Sequence, residues 1–208
     1  MNPRPYRSPV RESAASKTRA RIIAAAGALL GAPRGISSFS LEAVAKKAGV
    51  TRLTVYNRFG SRRALLEEVF DDMAARGGLH RIAEAMTEAD PHRALKRIVT
   101  IFCNFWSFDT GALSRLHAAG ASDIEFESSV RERNERRRQL LSQLVRRMAG
   151  SHQPRAKPVK ELVDVLFALT SLAFFAQLMS RERTANSACR LIEGLSEDAV
   201  RRAGLRPD

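Results

Sequence analysis

Acidic residues are nearly missing from the first third of this 208-residue chain. Residues 1–64 hold 13 Lys and Arg against only Glu12 and Glu42, a balance of +11. The rest of the chain, with 22 bases and 20 acids, adds only +2 to the total of +13. Arg outnumbers Lys 29 to 6, but a genome-wide preference for Arg would raise the base count everywhere and would not strip one segment of acids. A concentrated basic segment is the electrostatic footprint expected for a nucleic-acid partner.

Other scarcities exclude whole classes of function. Two cysteines, Cys103 and Cys189, give neither metal-ligand spacing nor a disulfide framework. Both sit in apolar helical patterns and are read as buried, reduced thiols. Pro3, Pro5 and Pro9 alternate with Arg4, Arg7 and Arg11 at the N-terminus. No apolar run follows them that could act as a signal peptide, so the expected location is the cytoplasm. Only Leu162–Met179 approaches a membrane-length apolar run, and Asp164, Thr170, Ser171 and Gln177 interrupt it. It is too short and polar for a span, and a buried core helix is the better reading. Glycine-rich phosphate loops, metal-ligand clusters and nucleophile elbows are absent, so no catalytic residue, metal site or cofactor is expected and an enzyme is set aside.

What is present is ordinary for a globular core, with 44% hydrophobic and 27% charged residues. The apolar spacing is helical almost throughout, with no internal repeat and no strand pattern, which predicts an all-α protein. Residues 1–15 are expected to form a disordered basic arm. Ile22, Ala26, Leu29 and Leu30 mark a first helix capped by Ser16 and stopped by Gly31-Ala32-Pro33. Ser61 caps a helix with Leu66, Val69, Phe70 and Met73 on one face, weakened or ended at Gly77-Gly78. Beyond Pro91 the pattern predicts a helix lined by Leu95, Ile98, Val99, Phe102, Phe105 and Trp106 and ending near Asp109. A short piece over 112–119, a long helix over 123–148, a loop over 150–158 and helices over 159–183 and 187–202 complete the chain.

Between them, Ser40 to Phe59 have the grammar of a helix-turn-helix. Ser40 suits an N-cap, and Glu42 suits the positive end of the helix dipole. Ala45 is small where two helices must approach, and Gly49 accepts the left-handed conformation that reverses the chain. Leu41, Val44, Val50 and Val55 supply the contacts between the two helices. Thr51 caps the second helix, whose Arg52, Thr54, Asn57 and Arg58 are hydrogen-bonding residues suited to base edges and phosphates. Each piece alone has a bland explanation as a helix end or a solvated arginine; the combination does not.

Residues 17–73 closely resemble the TetR-type bacterial transcription regulators. The resemblance is carried by Phe39-Ser40-Leu41, Ala45, Ala48-Gly49-Val50-Thr51, Thr54-Val55-Tyr56, Phe59 and Ser61-Arg62-Arg63-Ala64-Leu65-Leu66. It implies that Tyr56 and Arg62 touch DNA phosphates, while Arg52, Leu53, Thr54, Asn57 and Arg58 face the major groove or its edge. Arg62 stands where the family more often has lysine, and its charge at a helix N-terminus can still grip a phosphate. The bulky Arg52-Leu53 pair replaces smaller residues and should alter base preference. The resemblance therefore implies an N-terminal three-helix helix-turn-helix DNA-binding domain over 16–64, then a helical effector-binding and dimerisation domain over 65–208.

Seven of the ten phenylalanines and the one tryptophan lie between residues 100 and 175. Phe102, Phe105, Trp106, His117, Phe126 and Phe174 are the candidates for lining an effector pocket of the kind the resemblance implies. Asn104 and Gln177 could add polar contacts to a small apolar or aromatic ligand. An aromatic stripe at helical spacing is equally what plain core packing produces, and both readings stand. The segment 159–183 is apolar on nearly every side and needs cover on both faces. In the family the last two long helices, here about 159–202, pair with their copies into a homodimer. The bases Arg131, Arg133, Arg136, Arg137 and Arg138, interleaved with Glu132 and Glu135, read as a solvated helix face. The expected function is a repressor released from its DNA operator by a small molecule. The alternative is an architectural or accessory DNA-binding protein without such input.

Overall fold

A computed structural model describes residues 9–32, 35, 39–120, 124–150, 156–179 and 183–205. Among these residues every regular element is helical, as the apolar spacing requires. In chain order they are α1 (Pro9–Gly31), α2 (Leu41–Ala48), α3 (Arg52–Phe59) and α4 (Arg62–Arg76). A 3₁₀ turn (Leu79–Arg81) runs into α5 (Ile82–Met86), followed by α6 (Pro91–Phe108), α7 (Thr110–Gly120) and α8 (Ile124–Ala149). The last three are α9 (Ala156–Leu169), α10 (Leu172–Leu178) and α11 (Ala185–Arg202). No helix of the described residues is long and apolar enough to cross a membrane. The chain divides into two compact units between Asp72 and Met73, inside α4.

In the first unit, α1 packs on α2 and α2 on α3. Ile22, Ala26 and Leu30 of α1, Val44 of α2, Val55 of α3 and Leu65 and Leu66 of α4 form its buried centre. An ion pair from Arg19 to Glu68 ties α1 to α4, and the Arg19 guanidinium lies 5.7 Å from the Phe59 ring centre. Helix α1 begins at Pro9, where a missing N–H costs nothing. Ser16, expected as the N-cap, is therefore inside the helix, and residues 9–15 are helical where an arm was expected. Residues 1–8 of that arm, and 36–38 of the following loop, lie outside the described residues.

The second unit is built on α6. Leu95, Ile98, Val99, Phe102, Phe105 and Trp106 are all buried, as the spacing predicts, with α8 and α11 packed against them and α9 against both. Asp90 accepts the His92 N–H at 2.8 Å and Pro91 opens the helix, so α6 starts from two local signals. The 3₁₀ turn and α5 are short elements that periodicity did not reveal. Arg147 of α8 secures them, its Nη1 donating to the Met86 carbonyl at 2.8 Å and its Nη2 to that of Glu88.

The apolar segment expected as one helix over 159–183 is two. Thr170 Oγ1 donates back to the Leu166 carbonyl at 2.8 Å, and Ser171 caps a new helix by accepting the Phe174 N–H at 3.1 Å. Side chains that compete for backbone hydrogen bonds end α9 and start α10. Residues 180–182 lie outside the described set. Cys103 is buried as expected but Cys189 is only half-buried, and both are free. The Cys189 sulfur and burial together push the Cys103 thiol far up.

Candidate nucleic-acid interface

Two caps and one turn fix the geometry of α2 and α3. Ser40 Oγ accepts the Ala43 N–H at 3.1 Å. At the other end of α2, Gly49 takes φ 64° and ψ 39°. Its N–H bonds to the Lys46 carbonyl at 3.3 Å and that of Val50 to the Ala45 carbonyl at 3.0 Å. This paired closure is the Schellman motif, which needs a left-handed residue at the turn. Thr51 then caps α3, accepting the Thr54 N–H at 3.1 Å. Val44, Ala45 and Ala48 of α2 and Val55 and Phe59 of α3 are buried between the elements, and Phe39 is buried just before α2. Gly60, at φ 73°, closes α3 through the Tyr56 carbonyl at 2.7 Å.

Burying Val55 and Phe59 leaves the other side of α3 open. Arg52, Asn57 and Arg58 are exposed, Thr54 is half-buried, and Leu53 and Tyr56 stand out at 65% and 55% exposure. Leu53 and Tyr56 are therefore available on the same outward side as Arg52, Asn57 and Arg58. Beside them Lys46 and Lys47, in the last turn of α2, are also exposed. The arrangement can do two things: follow a phosphate backbone with its bases, and insert a narrow row of hydrogen-bonding side chains against base edges.

The expected contact residues are not equivalent in this frame. Ser40 and Thr51 are exposed caps whose oxygens already serve the backbone; Ser40 keeps its O–H to donate to a phosphate. The Thr51 and Thr54 hydroxyls bond each other at 2.9 Å, which holds Thr54 in one orientation. Arg62, at the first position of α4, is half-buried: its Nε donates to the Phe39 carbonyl at 3.4 Å and its guanidinium lies 5.5 Å from the Phe39 ring centre. Arg62 thus fastens α4 to the entry of α2 as well as carrying charge.

Gly49→Val is expected to lower the melting temperature of the first unit and weaken DNA binding. A β-branched residue at φ 64° resists the left-handed turn, at a cost of about 1–2 kcal/mol. Space is not the cause, since a Cβ at Gly49 meets nothing within 4 Å. A fully stable Gly49→Val protein would mean that the turn does not depend on glycine.

The residues expected to line a pocket fall into two groups. Phe102, Phe105, Trp106 and Phe126 are buried, Phe174 is half-buried and His117 is exposed. Three of them form one cluster, with the Phe105 and Phe102 rings centred 4.6 and 6.2 Å from Trp106. The Trp106 indole N–H donates to the Thr170 carbonyl at 3.0 Å. Asn104 and Gln177, expected as polar lining, face solvent instead. Sequence reasoning missed a charged group that does lie inside: Arg137, expected on a solvated face, is buried with its Nη1 donating to the same Thr170 carbonyl at 2.6 Å. Nothing in a run of three arginines marks the middle one as internal.

Residues 22–69 match the model for the bacterial regulatory proteins of the tetR family. The HTH-type transcriptional regulator EthR of Mycolicibacterium smegmatis is 37% identical over 87 residues, 41% of this chain and 39% of that protein. The match thus spans well under half of that curated relative. Among solved structures, a TetR-like transcriptional regulator from Rhodococcus sp. RHA1 superposes with a TM-score of 0.68 at 20% identity, covering 91% of this chain and 97% of that one. A regulator from Clostridium perfringens gives 0.65 at 16% identity over 86% of this chain and 97% of its own. At these identities the two structures share the fold alone.

Proposed function

We propose that this chain, whose residues 22–69 match the tetR-family model, is a TetR-type homodimeric repressor that recognises a DNA operator through α3 and is released from it by a small apolar or aromatic effector. One observation carries the DNA-binding half of this reading. The outward row of α3, with Leu53 and Tyr56 more than half exposed among Arg52, Asn57 and Arg58, is held by a frame capped at both ends and set in the basic third of the chain. Residues 16–64 would then be the DNA-binding domain and 65–208 the effector and dimerisation domain. In a dimer the two α3 helices would enter successive major grooves, ~34 Å apart, and an effector would favour a shape that no longer matches that spacing. Binding to DNA implies that the protein works in the bacterial cytoplasm.

The direct test is to sequence the genomic DNA fragments that the purified protein retains. A shared, two-fold symmetric sequence is the expected result; random fragments would sink the operator reading. Within that assay, Arg62→Ala and Tyr56→Phe should weaken binding about equally on all sequences. Arg62→Ala should also flatten the salt dependence by about one unit in the log–log slope, because it removes one phosphate-neutralising charge. Tyr56→Phe removes a neutral hydroxyl and should leave that slope alone. A change in which bases are preferred, from either variant, would show that the residue reads bases rather than phosphates.

A further inference from the structure

Arg137 of α8 is only 9% exposed. Burial, with the neighbouring Arg138 adding to it, lowers its guanidinium to about 10. Its surroundings do little to offset the charge. Nη1 donates to the Thr170 carbonyl at 2.6 Å and Nη2 to Asn134 Oδ1 at 3.4 Å. The Phe167 and Phe102 ring centres lie 4.1 and 5.9 Å from the guanidinium carbon. Nε is buried and has no hydrogen-bond partner. Among the described residues no carboxylate pairs with Arg137, whereas its neighbour Arg138 pairs with Asp164.

The Thr170 carbonyl lies just past the end of α9, where a helix carries roughly half a negative charge. That half charge is shared, because Trp106 donates to the same oxygen at 3.0 Å. A buried guanidinium is normally neutralised or replaced by an apolar side chain of similar size. One left short of negative charge, with an unused N–H, is shaped for an anion that comes from elsewhere. His117 of α7, near enough for the charge of Arg137 to act on it, is exposed at the surface. Partial desolvation of the ring, and then the charge of Arg137, lower its imidazole pKa and favour the neutral form. It can offer an N–H to an anion without adding a second positive charge.

We propose that Arg137 anchors the carboxylate of a small, mostly apolar organic acid, with Nε and one terminal nitrogen donating side by side and the Phe102 and Phe167 faces against the hydrocarbon body. The paired donors suit the planar fork of a carboxylate, and the aromatic faces select an apolar body over a bare inorganic ion. This assignment rests on the effector reading above and names the chemical class of that effector.

The test measures melting temperature and Trp106 fluorescence with octanoate and phenylacetate, their uncharged amides, and inorganic phosphate at matched ionic strength. At a hundredfold excess over Kd, at least one carboxylate should raise the melting temperature by roughly 5–10 °C and change the Trp106 emission. Its amide and phosphate should do neither. Arg137→Met should weaken the carboxylate at least ~tenfold while melting no lower than the parent, since it removes an uncompensated buried charge. Arg137→Gln, checked for folding by circular dichroism, serves if Arg137→Met does not fold. The proposal is overturned if amide or phosphate acts as the carboxylate does, if no carboxylate acts, or if a folded Arg137 variant responds like the parent. The sensor reading fails separately. Carboxylates that bind through Arg137 yet leave operator DNA bound would overturn release and keep the site. A neutral compound that releases DNA while carboxylates do nothing would overturn the site and keep release.

Discussion

Val165→Glu is expected to yield a folded monomer that has lost operator binding, and Leu169→Glu a chain whose second unit does not fold. The two residues are four apart on α9, so periodicity alone sets them on one stripe. In the structure they differ: Val165 is 44% exposed and Leu169 only 8%. Leu162 and Leu166 point inward with Leu169, and on α11 Ile192 is buried while Leu191 and Leu195 are exposed. Val165, Leu195 and Ala199 line a groove between α9 and α11 together with Glu161 and Arg202, and the nearly covered Leu162 and Leu169 lie at its base. Val165 and Leu195, exposed aliphatic side chains facing one groove between two packed helices, with Leu191 one turn from Leu195 on α11, form the surface a second copy would cover.

A glutamate charge on that face costs little in the monomer and several kcal/mol once a partner buries it. Sedimentation should therefore give a monomer with the parent's helical circular dichroism. Losing the second α3 should cost operator affinity roughly a hundredfold or more, because the second half-site no longer binds as part of the same molecule. At Leu169, which lines the same groove but is 8% exposed, the same charge must displace packing within the chain itself. The several kcal/mol it costs there are comparable to a whole domain's stability of about 5–15 kcal/mol. A dimeric Val165→Glu protein that keeps its operator affinity would remove the α9–α11 face as the interface.

The contrast between those two residues shows what the sequence could and could not reveal. Signals that act within one or two turns were legible. Ser40, Gly49, Thr51 and Ser61 each do locally what their chemistry suggests, and the α6 stripe is buried from Leu95 to Trp106. Ala45, read as small for a close approach, is buried where α2 meets α3. What depended on partners distant in sequence was not legible. An apolar segment with no polar face cannot say which of its sides meets its own core. The break at Thr170–Ser171 is a competition that helix propensity leaves undecided until other elements fix the chain path. Arg137 is the sharpest case: its burial follows from Phe102, Phe167 and Thr170, which lie at least 30 residues away.

Phe105→Ala and Gly77→Ala are expected to be strongly non-additive, with the double variant more stable than the two single losses predict. Phe105 has no exposed surface and packs on Trp106. Another neighbour is Gly77, just past α4, whose N–H donates to the Met73 carbonyl at 2.8 Å. A Cβ added there would sit 2.5 Å from Phe105 Cδ2, 3.0 Å from the Met73 carbonyl oxygen and 3.3 Å from the Phe105 Cα. Gly77 is thus required for space, as the floor on which the Phe105 ring lies. Overpacking of this kind costs about 1–3 kcal/mol, and truncating a fully buried phenylalanine about 3–5 kcal/mol. Removing the ring removes the shortest of the three clashes, so the methyl of Gly77→Ala should partly fill the vacated space. The contacts to Met73 and the Phe105 backbone remain, so relief is incomplete and a coupling of ~1–2 kcal/mol is expected. Urea unfolding followed by the emission of Trp106, the only tryptophan and a residue of the second unit, reads the affected core directly. Losses that add to within about 0.5 kcal/mol would mean the two sites are independent. The end of α4 would then not be packed against α6 in solution.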